Sequence, residues 1–187
     1  MERKTPFLYT LFVLTLLMIT PFNTANGQSH DIAIAIGKPV SVQINCSERA
    51  GGIEVYDATI LIQEILRGAE AWELLQAADS SNKEPEEGYE YILARVSFKM
   101  KARGAPGDKT FDLGRPLQFT AFSENFEEYG TPSVKAPEPV LKGRTPADQQ
   151  AEGWISMEVK KSDERPLLMF DPSSGGAWNR GKFDFFR

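Results

Sequence analysis

The stretch YEYILARVSFKMKARG, residues 89–104, constrains the fold of this 187-residue chain more tightly than any other. Ile92, Ala94, Val96, Phe98 and Met100 recur at a spacing of two, with Arg95, Ser97, Lys99 and Lys101 between and after them. Side chains of a strand alternate between its faces, so the pattern demands a strand with one dry and one wet side.

Related patterns recur along the chain. DIAIAIGKPVSVQINC sets Val40, Val42 and Ile44 on one side of a strand and is broken at Gly37-Lys38-Pro39. IEVYDATILIQEILRG is rich in β-branched and aromatic residues, which suit a pleated, half-buried surface, and Gly68 closes it. TFDLGRPLQFTAFS reads as one strand, and GWISMEVKK reads as a strand joined to LLMF by a hairpin through Ser162-Asp163-Glu164-Arg165-Pro166. KFDFFR supplies a last strand without an identifiable partner. Between these, Glu124 to Gln150 is long and interrupted by Pro and Gly, and is expected to cross from one sheet to the other. Twelve Pro and fifteen Gly favour many turns over long helices. Seven or eight strands with one short helix at about 69–79 predict an all-β fold, an immunoglobulin-like two-sheet sandwich. Cys46 is the only cysteine, so packing rather than an intramolecular disulfide must hold it.

In AEAWELLQAADS, Trp72, Leu75 and Ala78 fall at a spacing of three, with Ala71 and Leu74 beside them, which predicts a short helix that inserts Trp72 over the open edge between sheets. Glu70 and Glu73 sit near its N-terminus, where the helix dipole favours carboxylates, and Asp79-Ser80-Ser81-Asn82 ends it.

MERKTPFLYTLFVLTLLMITPFNTANG, residues 1–27, runs from basic through apolar to small residues, the order of a secretory signal peptide. Cleavage is expected near Gly27, leaving residues 28–187 as one domain that is secreted or held at the cell envelope. Retention as an anchor is the alternative, although Phe7 to Ile19 is shorter than the 17 to 25 residues that span a bilayer. Without the leader, 19 basic residues face 25 acidic ones, a formal charge of −6, which argues against nucleic acid or an anionic membrane as partner. Cys46 reads as a small, partly buried apolar residue, with an intermolecular disulfide as the alternative.

Recognisable catalytic chemistry is lacking. His30 is the sole histidine and sits just after the expected cleavage point, so neither a nucleophilic triad nor a histidine-based zinc site has its parts. SSGGAWNRG lacks the Lys and the strand-loop-helix setting of a phosphate loop. The acidic residues Asp79, Glu84, Glu86 and Glu87 offer oxygens for a hard cation such as calcium, but their spacing departs from a calcium loop and a solvated acidic turn is the simpler reading. Paired carboxylates of a glycoside hydrolase are defined by distance in the fold and stay open.

EILRGAEAWELLQAADSSNKEPEEGYEYILARVSFKM followed by EGWISMEVKKSDERPLLMF resembles the bacterial domain of unknown function 4352 family, telokin-like immunoglobulin sandwiches that are secreted or lipid-anchored. The residues that carry the resemblance are Gly68, Ala71 and Trp72 in the helix, Asn82, Pro85 and Gly88 in the loop, and Gly153 and Trp154 opening a late strand. It departs at the ending, GKFDFFR, where a Trp-led aromatic pair is usual, and in a leader without a lipid-attachment cysteine. The resemblance implies architectural roles and brings no catalytic residue or cofactor. The expected function is therefore a non-enzymatic module mediating protein–protein interaction with an unidentified envelope or extracellular partner. A small-ligand or calcium-binding module is the alternative, and a hydrolase using paired carboxylates the remote one.

Overall fold

A computed structural model describes residues 33–47, 53–104, 110–113, 119–171 and 184–186. The leader, His30 and the glycine-rich stretch at 174–181 lie outside the described residues. The elements are β1 (Val40–Ser47), β2 (Ile53–Arg67), α1 (Ala69–Ala78), β3 (Tyr89–Ala102), β4 (Thr110–Leu113), β5 (Phe119–Phe122), β6 (Gly143–Pro146), β7 (Gln150–Lys160), β8 (Leu167–Phe170) and β9 (Asp184–Phe186). One antiparallel sheet has the order β1-β2-β3-β7, and facing it are the two-stranded sheet β4-β6 and the three-stranded sheet β5-β8-β9. The fold is all-β and two-layered, with one helix among the described residues.

The main core lies between the layers. Val42 and Ile44, then Tyr56, Ala58, Ile60 and Ile62, then Ile92 to Met100 at every second position, face Leu113, Phe119, Leu168 and Phe170 across it. Phe98 and Phe119 each meet the Phe170 ring, with centroids 6.0 and 4.9 Å away, in the tilted geometry that aromatic quadrupoles favour.

β2 changes phase once. Ile62 pairs with Val96 but Glu64 pairs with Arg95, so Gln63 is the extra residue of a bulge. The slip lets Ile65 join the inner core while Leu66 reaches the opposite face. Without it, strict alternation would have turned Glu64 inward.

On that opposite face a second, smaller core forms. Ala71 and Leu75 of α1 cover Tyr91, Leu93 and Trp154, with Leu66 and Trp72 packed at the margin. The wet face of β3 is thus dry at its first turn, and the uninterrupted run Tyr91-Ile92-Leu93-Ala94, all buried, is its signature. Gly68 permits the abrupt change from strand to helix: its φ is 65°, its N–H donates to the Tyr91 carbonyl at 2.9 Å, and its carbonyl accepts from the Trp72 N–H at 3.0 Å. The buried face of the helix therefore differs from the one the spacing of three predicts. Ala71 and Leu75, four apart, are fully buried, whereas Trp72 is half-buried beside Tyr91 and Leu74 and Ala78 are exposed. Trp72 lies against a sheet face rather than plugging an edge, because the helix rests on β2 and β3.

Two connections also differ from expectation. β7 and β8 belong to different layers, so Ser162 to Pro166 is a crossover rather than a hairpin; both strands are apolar enough to pair, but each finds partners elsewhere. TFDLGRPLQFTAFS is two strands, β4 and β5, in separate sheets. β9 pairs with β8. Residues 123–149 do cross between layers. In that passage their backbone runs directly over Gly153, where a Cβ would lie 2.3 Å from the Leu141 nitrogen and 2.4 Å from the Val140 carbonyl carbon. Gly153→Ala is expected to cost about 3 kcal/mol, the upper end of overpacking penalties, because backbone rather than a yielding side chain stands in the way. Chemical denaturation measures it, and Gly130→Ala, with open space around its Cβ, is the control.

Candidate functional site

The crossover after β5 forms a strap, residues 129–142, tied to the body at three places. At its start the Tyr129 N–H donates to the Ala121 carbonyl at 2.8 Å, and its hydroxyl donates to Asp163 Oδ2 at 2.7 Å. Midway, the Asn82 side chain works as a clamp. Its Nδ2 donates to the Leu75 carbonyl at 2.7 Å and the Lys135 carbonyl at 2.9 Å, while its Oδ1 accepts the Lys135 N–H at 2.8 Å. One amide thus caps the last turn of α1 and docks the strap, while Val134 and Ala136 pack on the outer core. Asp79 adds an ion pair to Lys135 Nζ and accepts from the Ser81 N–H and hydroxyl.

At the far end, Trp154 N–H donates to the Pro139 carbonyl at 2.8 Å and the Leu141 N–H donates to the Trp154 carbonyl at 3.0 Å. These two bonds make a parallel bridge between Val140 and Trp154. They also show that the backbone groups of Trp154 point away from β3. Period two along a strand then turns the N–H and carbonyl of Ser156 the same way, and among the described residues neither has a backbone partner on that side.

Between the fixed ends the strap stands off from the sheet edges. It leaves a groove of about 660 Å³ floored by Phe119, Ala121, Trp154, Ser156 and Met157 and walled by residues 129–142. That volume is within the range of sites for small molecules or short peptides. Across the rim Glu138 pairs with Lys142 at 3.2 Å, and its carboxylate is held below the usual range by the Val140 N–H and by Lys142. Tyr129 at the entrance is pushed up to about 12, chiefly by burial and then by its bond to the Asp163 carboxylate.

The cation candidates do not converge. Asp79 is committed to Lys135 and Ser81, which hold its pKa well below the ordinary carboxylate value, while Glu84, Glu86 and Glu87 are exposed. Among the described residues no group of three or more His, Cys, Asp or Glu is placed to hold a metal. The family-like positions, in contrast, gather around the outer core and the strap. Ala71, Trp72 and Trp154 build that core, Asn82 clamps the strap, and Gly153 lets its backbone pass. Gly88, at φ 85°, turns the loop into β3 and accepts the Lys161 N–H at 2.9 Å, and Pro85 is half-buried in that loop. Cys46 lies in β1 opposite Glu54, and its side chain is outside the described set. Sequence reasoning did not single out Tyr129, Ser156 or Lys135, because an edge strand's free backbone and a coil docked by one amide have no residue signature.

No protein-family model matches the chain, and no curated protein matches it. Solved structures similar to it include the YjhA protein of Bacillus subtilis, with TM-score 0.48, 8% identity, and 82% of this chain and 98% of that one covered. Another is the candidate lipoprotein YcdA of Bacillus subtilis, with TM-score 0.45 and 16% identity over 69% of this chain; the match spans 36% of that protein.

Two measurements check the strap. Asn82→Ala removes three hydrogen bonds at the protein surface, one of them part-buried, so it should cost about 1 kcal/mol and speed amide exchange at Lys135. The pKa of Tyr129 is raised from 10.0 in the fold, so the stability it contributes is complete below pH 10 and declines as pH climbs toward about 12. Tyr129→Phe should flatten that alkaline decline in a pH series of melting temperatures.

Proposed function

We propose that this chain is a non-enzymatic, exported binding module of the envelope or extracellular space that holds a short extended segment of another polypeptide beneath the strap. The observation that carries this reading is Ser156: a sheet-edge N–H and carbonyl aimed into a concave site lined largely by apolar side chains. An extended peptide supplies the complementary carbonyl and N–H, and pockets such as that over Phe119 and Met157 take its alternate side chains. The neighbouring edge residue, Trp154, is already satisfied in this way by Pro139 and Leu141 of the strap. A cation at the acidic loop is the weaker reading, since it would have to displace the Lys135 ammonium from Asp79. The leader-like residues 1–27 support export, and among the described residues no helix is long and apolar enough to cross a membrane. Kinship with the telokin-like family is part of the same proposal, supported by the shared placement of Gly68, Ala71, Trp72, Asn82, Gly153 and Trp154 around one outer core.

Ser156→Pro tests the proposal with little structural damage, because an edge strand tolerates Pro where the N–H faces outward. Peptides selected on the native protein from a random display library should lose about five- to tenfold in affinity for this variant, the equivalent of the one backbone hydrogen bond that the missing N–H donated, while its melting temperature moves by only a few degrees. Undiminished affinity for the folded variant would defeat the reading.

A further inference from the structure

A second cavity, of about 190 Å³, lies between the two layers at the end of the sandwich near Ile36. Its walls are the inner faces of both sheets. Ile62, Ile65 and Ile92 come from β2 and β3, Met157 and Val159 from β7, and Leu168 from β8. These inward positions are all apolar, so water inside would find almost no hydrogen-bond partners. An engineered cavity of about 150 Å³ with a similar lining accepts benzene, which scales this one to a chain of about six to eight carbons.

The mouth is different in kind. Arg67, Glu164 and Arg165 surround it, with Ile36 exposed to solvent at 43%. Arg67 is already engaged: its guanidinium pairs with Glu90 at 2.7 Å and donates to the carbonyls of Asp163 at 2.6 Å and Glu164 at 3.4 Å. Those bonds make it part of the frame, pinning the 163–166 crossover across the end of the sheets. Arg165 is exposed, and among the described residues its guanidinium has no hydrogen-bond or ion-pair partner. An apolar recess open to solvent beside an uncommitted guanidinium has the chemistry of an amphipathic anion site, apolar inside and charge-assisted at the rim.

We propose that this cavity binds a medium-length aliphatic carboxylate, its chain between the layers and its headgroup on Arg165. The site is independent of the peptide reading, although Ala121 and Met157 line both cavities. Octanoate and 1-octanol are the probes, read by calorimetric titration and by melting temperature. Octanoate is expected to bind with a Kd at or below about 1 mM and to raise the melting temperature. Arg165→Gln, on the surface, should weaken octanoate about five- to tenfold and leave 1-octanol unchanged. Ile65→Phe, which fills the recess without touching the groove, should abolish binding of both. If that variant does not fold, nuclear Overhauser contacts from the octanoate methyl to the Ile62 and Val159 methyls in the unmutated protein locate the chain instead. Absence of binding by either probe, octanoate affinity unaffected by Arg165→Gln, undiminished binding to folded Ile65→Phe, or contacts to other methyls would each overturn the proposal.

Discussion

Strand β3 is buried on both faces at one end, and the rest of the structure is arranged around that fact. Its inner face supplies the centre of the main core, while Tyr91 and Leu93 on the outer face must be shielded by something other than a second sheet. A ten-residue helix with only two fully buried side chains does this, assisted by Trp154 from the neighbouring strand. So small an apolar stripe would not hold a helix in water by itself. It is held because Gly68 locks its start to β3 and Asn82 locks its end to the strap.

That dependence links architecture to the groove. The strap owes its position to the helix C-terminus through Asn82, to the outer core through Val134 and Ala136, and to the β7 edge through Pro139 and Leu141. Because it is fixed at points rather than along its length, it arches, and the groove is the space under the arch. Charges contribute little to holding it, since the Lys142–Glu138 pair lies within the strap itself and Lys135, which pairs with Asp79, is largely exposed to solvent. Directed hydrogen bonds from the Asn82 amide and with the backbone groups of Trp154 carry more.

The two cavities reflect the same economy of material. β5 and β8 are only four residues each, opposite a sheet whose strands run to fifteen, so the smaller layer cannot cover the larger one completely. The strap covers one side imperfectly and leaves the groove. The 163–166 crossover covers one end, braced by Arg67, and leaves the apolar recess. Loops positioned by a rigid scaffold are where binding is ordinarily found, and both openings are of that type.

The sequence alone determined whatever depends on local periodicity. The alternation from Ile92 to Met100 specified a strand and its inner face, Gly68 specified where strand must become helix, and the Gly/Pro spacing specified an all-β body of short elements. The second core and the bulge at Gln63 were not read from the sequence, because Tyr91-Ile92-Leu93-Ala94 and Gln63-Glu64 interrupt an alternation without saying what covers the outer face or which residue is extra. Tertiary structure alone decided which strands pair: β7 and β8 read as a hairpin yet lie in different layers, because pairing is set by competition among all strands rather than by the loop between two. It also decided the helix face and the exposure of Ser156's backbone, since an N–H carries no side-chain signature and its direction is fixed only once β3 has taken the other edge of the strand.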